Sequence, residues 1–114
     1  MRLFVYGTLA PGEPNHDQLD GVRGSWTPAS VRGHLRRLGW GADMGYPALI
    51  LDPDAERIAG QLLESDDLER HWRRLDEFEG DEYSRVLTRV DLADGREVEA
   101  FVYVLRLPST PEAT

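Results

Sequence analysis

The chemistry of this chain turns on the stretch Leu75-Asp76-Glu77-Phe78-Glu79-Gly80, which Asp81-Glu82-Tyr83-Ser84-Arg85 follows. Leu68, Trp72 and Leu75 recur at i, i+4 and i+7, the spacing of one apolar helix face. At about 100° per residue, Glu79 at i+11 falls roughly 20° from Leu68. The same count puts Glu77 on the wet side and Asp76 on the flank. One carboxylate is thus aimed inward at the end of a helix that Gly80 can stop. Apolar surroundings disfavour a carboxylate's charge and raise its pKa, which suits it to general acid–base work. In the competing reading the helix frays early and Glu79 is a solvated terminal residue.

A second stretch with binding chemistry is Tyr6-Gly7-Thr8-Leu9, placed after the short apolar run that begins at Leu3. Gly7 lets backbone amides approach a ligand closely, and Thr8 brings a hydroxyl. A strand followed by a glycine turn also occurs in many folds without any ligand.

Other chemistries find little support. The chain has no cysteine, which excludes disulfides, thiolate nucleophiles and Cys-ligated zinc. It has no lysine, all 13 basic residues being arginine, so Schiff-base chemistry and a Walker-type lysine are excluded. The 3 histidines lie far apart with no metal-ligand spacing, and Asp52 and Asp54 lack the rest of a calcium loop. No Gly-x-Ser-x-Gly elbow occurs. Gly39 to Gly45 lacks the spacing of a dinucleotide fingerprint, and Tyr46-Pro47 stands where a helix should begin. A glycosidase-type carboxylate pair stays open by composition, since Glu77, Glu79 and Glu82 are all available, although helical phase turns only Glu79 inward.

These residues need a scaffold, and 114 residues suffice for one core. We expect a single domain over residues 1–107 and a disordered tail over 108–114. Strands are expected at Leu3–Tyr6, around Val31–Leu35, at Ala48–Leu51, at Ile58–Leu63, at Tyr83–Leu92 and at Val98–Leu105. Asp94-Gly95 supplies a hairpin signal between the last two. A short helix is expected from Asn15 to Leu19, and the main helix from Ser65-Asp66-Asp67, with Asp66 and Glu69 as a capping pair. Strands outnumber helices, and the main helix lies between hairpins. The expected class is therefore α+β, a small, mixed but mostly antiparallel barrel-like sheet with one main helix.

The net charge of −8 argues against nucleic acid and anionic membrane surfaces as partners. With no signal-peptide pattern and no membrane-length apolar run, the expected location is the cytoplasm.

Phe4-Val5-Tyr6-Gly7-Thr8-Leu9, Tyr46-Pro47-Ala48-Leu49, Leu75-Asp76-x-x-Glu79-Gly80-x-x-Tyr83-x-Arg85 and Phe101-Val102-Tyr103, in that order, resemble the γ-glutamylcyclotransferase-like family. The likeness is greatest to its short γ-glutamylamine cyclotransferase type members and covers Leu3 to about Leu105. It implies a barrel with its cavity at one end, with Tyr6, Gly7, Thr8 and Leu9 holding a γ-glutamyl group. It also implies Glu79 as the acid/base, with Tyr83 and Tyr103 lining the pocket or packing in the core. The implied reaction is attack of a γ-glutamyl α-amine on its own γ-carbonyl, releasing 5-oxoproline and the attached amine, without metal or cofactor. The implied partner is a small-molecule γ-glutamyl compound, and the protein a monomer or homodimer. A non-catalytic sensor of such a metabolite is the alternative reading. Leu63 departs from the aromatic that the family commonly has there. The leaving amine is not legible in the sequence.

Overall fold

The computed structural model describes residues 1–6, 19, 21–36, 48–80 and 83–105. Alternation of apolar and polar side chains organises them into six strands: β1 (Arg2–Val5), β2 (Ser25–Arg36), β3 (Ala48–Leu51), β4 (Arg57–Glu64), β5 (Tyr83–Leu92) and β6 (Glu97–Leu105). A 3₁₀ turn, Leu68–Arg70, and the helix α1, Trp72–Glu79, lie between β4 and β5.

The strand order is β3-β2-β4-β1-β6-β5, and an extra β2–β5 pairing joins Ala29 to Leu92 and Ser30 to Asp91. That pairing closes five strands into a ring, with β3 added along the rest of β2. All pairings are antiparallel except β1 with β6, where Leu3 faces Phe101. The expected mixed, mostly antiparallel barrel with one main helix is thus the observed α+β fold.

Period-two alternation sorts the apolar residues onto two faces. Phe4, Val31, Leu49, Leu62, Val90 and Val102 turn into the barrel and pack with Ala29, Leu92 and Ala100. Their sequence neighbours Leu3, Val5, Leu63 and Tyr103 turn outward, where Leu68, Trp72 and Leu75 cover them. Leu63 therefore lies in the core beneath the helix. At Gly60 of β4, a Cβ would run into the Phe4 ring and the Val5 carbonyl. Gly60→Ala is expected to destabilise the barrel by about 1–3 kcal/mol by overpacking, read as a lower urea midpoint.

Two local expectations are corrected. β2 starts at Ser25, well before the predicted strand, and carries Pro28 within it. Pro28 pairs with Gln61 on the β4 side, while its carbonyl accepts from Ala93 N–H on the other, just before the β2–β5 pairing begins. Its missing N–H therefore costs no ladder bond. The main helix starts at Trp72 rather than in the Ser65-Asp66-Asp67 segment, and the Asp66–Glu69 cap is replaced. The Ser65 hydroxyl oxygen accepts the Asp67 N–H at 3.0 Å, and Asp67 accepts the Arg23 N–H at 3.0 Å. Asp67 and the Ser65 hydroxyl, which donates to the Arg23 carbonyl, brace the β4 exit against the segment before β2.

The hairpin at Asp94-Gly95 forms as expected, with Gly95 at φ 92° and Asp94 accepting the Arg96 N–H at 3.0 Å. His34 faces outward, as its parity requires, and pairs with Asp52. Residue 20, most of the predicted Asn15–Leu19 helix and the tail 108–114 lie outside the described residues. No helix among the described residues is long and apolar enough to cross a membrane.

Candidate active site

The C-terminal end of α1, the end of β1, the start of β5 and the end of β6 meet at one end of the barrel. Gly80 takes φ 85° there, and its N–H donates to the Asp76 carbonyl at 3.1 Å, closing the helix. The Gly80 carbonyl accepts the Tyr83 N–H at 3.2 Å, which starts β5. The predicted apolar face holds: Leu68 and Leu75 are fully buried and Trp72 is nearly so. Leu68 sits in the 3₁₀ turn, yet the phase carries across it.

Glu79 is the carboxylate turned inward. Burial pushes its pKa from the ordinary 4.5 to about 7. Glu77, two residues earlier, is exposed and pairs with Arg73. Asp76 has the opposite character: partial burial pushes its carboxyl up, but hydrogen bonds from Arg85 and Tyr103 and the Arg85 charge outweigh this and hold it below the usual range. Two carboxylates one helical turn apart are thereby set to different protonation behaviour, and only Glu79 can exchange a proton near neutrality.

The described aromatic candidates gather around Glu79. The Tyr6 hydroxyl donates to the Tyr103 carbonyl at 2.7 Å and accepts the Leu49 N–H at 3.2 Å, tying β1 to β6 and β3. Burial chiefly raises the Tyr6 pKa, and the Glu79 charge adds to this. Tyr103, almost fully buried, donates its hydroxyl to Asp76 Oδ1 at 2.6 Å. Burial, Asp76 and Glu79 all raise its pKa. Both phenols therefore stay neutral and act through hydrogen bonds. Tyr83 is also buried and lies close enough to Tyr6 to interact with it electrostatically. The structure thus brings together Tyr6, Glu79, Tyr83 and Tyr103. Gly7, Thr8 and Leu9, the other predicted site residues, lie outside the described residues.

Asp76 and Arg85 sit at this barrel end although residue-by-residue reasoning assigned them no function. Their signal was positional: Asp76 precedes Glu79 by one turn, and Arg85 shares its strand face with Tyr83. Among the described residues no group of three or more His, Asp or Glu side chains comes together as a metal site.

Comparison with known proteins places the chain within one family. Residues 3–114 match the sequence profile of a family described as gamma-glutamyl cyclotransferase, AIG2-like. The chain is 39% identical over 111 residues to a gamma-glutamylaminecyclotransferase of Bos taurus, covering 89% of this chain and 63% of the bovine protein. It superposes on an AIG2-like protein of Mus musculus with a TM-score of 0.72 and 30% identity, covering 97% of this chain and 80% of that one. YkqA of Bacillus subtilis gives a TM-score of 0.71 at 28% identity, covering 93% of this chain and 36% of that one. The chain thus spans less than two thirds of the length of the bovine and Bacillus proteins.

Proposed function

Because the chain belongs to the AIG2-like gamma-glutamyl cyclotransferase family, we propose that it cleaves a γ-glutamyl amide by cyclotransfer, releasing 5-oxoproline and the attached amine. The observation that carries this reading is Glu79, a desolvated carboxyl poised near neutrality among Tyr6, Tyr83 and Tyr103. The name of the bovine relative supports γ-glutamylamines as the substrate class.

The substrate supplies both reacting groups. Its α-amine attacks its own γ-carbonyl, forming a five-membered lactam and breaking the bond to the departing nitrogen. Holding the γ-glutamyl chain folded turns this into an intramolecular step of high effective molarity. At neutral pH the α-amine is largely an ammonium and is not nucleophilic until deprotonated. Glu79 takes one proton, freeing the amine to attack, and as an acid delivers one to the leaving nitrogen as the C–N bond breaks. The second proton shed by the attacking nitrogen, which keeps a single N–H in the lactam, passes to solvent. It is matched by uptake at the released amine, which ends as an ammonium. Each turnover leaves Glu79 as it began. Tyr6 and the Gly7-Thr8-Leu9 segment that follows it are assigned the γ-glutamyl group, with Tyr83 and Tyr103 as pocket walls. Backbone amides of that segment are assigned the substrate carboxylate or the developing oxyanion.

The pH profile tests this assignment. The acidic limb of kcat/KM is expected to rise about tenfold per pH unit and level off at about pH 7, the Glu79 value in the free protein. A limb set by the substrate's own ammonium follows at higher pH. An acidic limb in the ordinary carboxylate range would remove Glu79 from the base role.

A further inference from the structure

Three elements are joined at one carboxylate beside Glu79. Asp76 on α1 accepts the Tyr103 hydroxyl of β6 at 2.6 Å, and Arg85 of β5 through Nε at 2.9 Å and Nη2 at 3.3 Å. The Arg85 fork is itself held flat, its guanidinium carbon 4.2 Å from the Trp72 ring centroid and 5.1 Å from that of Phe101. Those two rings meet edge to face at 5.3 Å. Arg85 and Tyr103 are cross-strand partners, so the β5–β6 ladder fixes both donors to one spacing. Charge-assisted, bidentate and stacked contacts of this kind define orientation closely.

The helix needs such an anchor. α1 has only 8 residues, too few to be stable alone. Trp72 and Leu75 hold its first turns. Its last turn carries Glu79, whose carboxylate gains hydration if that turn unwinds outward. Burial therefore works against helix continuity at this point, and Asp76 lies one turn before it.

We propose that Asp76 and Arg85 are positioning residues: with Tyr103 they clamp the last turn of α1 against β5 and β6, and so keep Glu79 turned into the site. This rests on the reading of Glu79 as the base. Among the described residues at this barrel end, Glu79 is coupled electrostatically to Tyr6 at the end of β1 and to Tyr103 on β6, with Tyr83 of β5 beside Tyr6 and the Asp76–Arg85 pair on the Tyr103 hydroxyl. The clamp itself is charge-balanced, with one carboxylate set against one guanidinium.

A clamp and a simple through-space charge effect have different signatures. Asp76→Ala removes a negative charge and Arg85→Ala a positive one, so charge alone would move the Glu79 titration in opposite directions. Release of the helix turn exposes Glu79 to water in both variants and lowers its midpoint in both. Arg85→Lys keeps the charge but loses the planar fork, so it too should lower the midpoint.

The test follows the Glu79 side-chain carboxyl carbon by ¹³C NMR as a function of pH, in the wild type and these three variants, without substrate. The wild-type midpoint is expected near 7. In each folded variant it should fall by about one pH unit or more, and kcat should drop about 10- to 100-fold, the cost of a small misplacement of the reacting group. Movement in opposite directions for the two alanine variants, or no movement, overturns the clamp. If the alanine variants do not fold, Arg85→Lys decides: a lowered midpoint supports the clamp and an unchanged one overturns it. A wild-type protein that turns over no γ-glutamyl compound would sink the enzymatic reading and leave this titration result standing.

Discussion

Glu79→Gln is expected to abolish turnover while making the protein more stable above neutral pH. Glutamine keeps the size and polarity of the side chain but cannot take the α-ammonium proton. Loss of general acid–base catalysis of this kind costs about 10²- to 10⁴-fold. The stability effect follows from the same pKa. Glu79 titrates at an ordinary 4.5 when unfolded and at about 7 when folded. The folded state therefore holds this proton more tightly, and the advantage is complete below about pH 4.5. It is lost as pH rises through 7, beyond which keeping the carboxylate buried costs up to about 3 kcal/mol. Glutamine carries no such charge. The variant should match the wild type at pH 4 and exceed it by about 1–3 kcal/mol at pH 8, read as a Tm difference that opens with pH. Near-normal 5-oxoproline formation by the variant would remove Glu79 from the mechanism. A Tm difference independent of pH would mean that the carboxylate is not held against its hydration.

The second large effect comes from ring size. A γ-glutamyl amide closes a five-membered lactam, whereas a β-aspartyl amide would have to close a strained four-membered one. Removing one methylene should weaken binding by only about 1–3 kcal/mol, yet product formation should cease altogether. Acetylating the α-amine of the γ-glutamyl compound removes the nucleophile and should stop the reaction by a separate route. Amine release from the three compounds, measured side by side, checks both. Comparable release from the β-aspartyl or acetylated compound would show that water is the nucleophile.

Much of the scaffold was legible because alternation is a local property. β5 and β6 were readable nearly to their ends, since Tyr83–Leu92 and Val98–Leu105 alternate and Asp94-Gly95 forces the turn. The first half of β2 was hidden by Pro28, which is acceptable because it sits just outside the β2–β5 ladder, a fact of the assembled sheet. The helix start was misjudged because Ser65 and Asp67 have cap chemistry but use it on the backbone of Arg23. Closure through Ala29–Leu92 and the parallel β1–β6 contact join residues far apart in sequence, which no local pattern records.

At the site, the inward turn of Glu79 was readable from phase alone, since Trp72 and Leu75 lie on the same helix. Tyr6, Tyr83 and Tyr103 were picked out by resemblance rather than by pattern, because a buried tyrosine serves a core as well as a pocket. The Asp76–Arg85 pair could not be read as a contact. An acid on a helix flank and an arginine at the start of a strand are ordinary surface residues until the helix docks between Arg85 and Tyr103.

The central claim is that the bond is broken by the substrate's own amine with Glu79 as the proton carrier. Product analysis of a γ-glutamylamine incubated with the purified wild-type protein tests it most directly, with Glu79→Gln alongside. The account predicts equimolar 5-oxoproline and free amine from the wild type and neither from the variant. Glutamate in place of 5-oxoproline, or amine binding without release of either product, would contradict it.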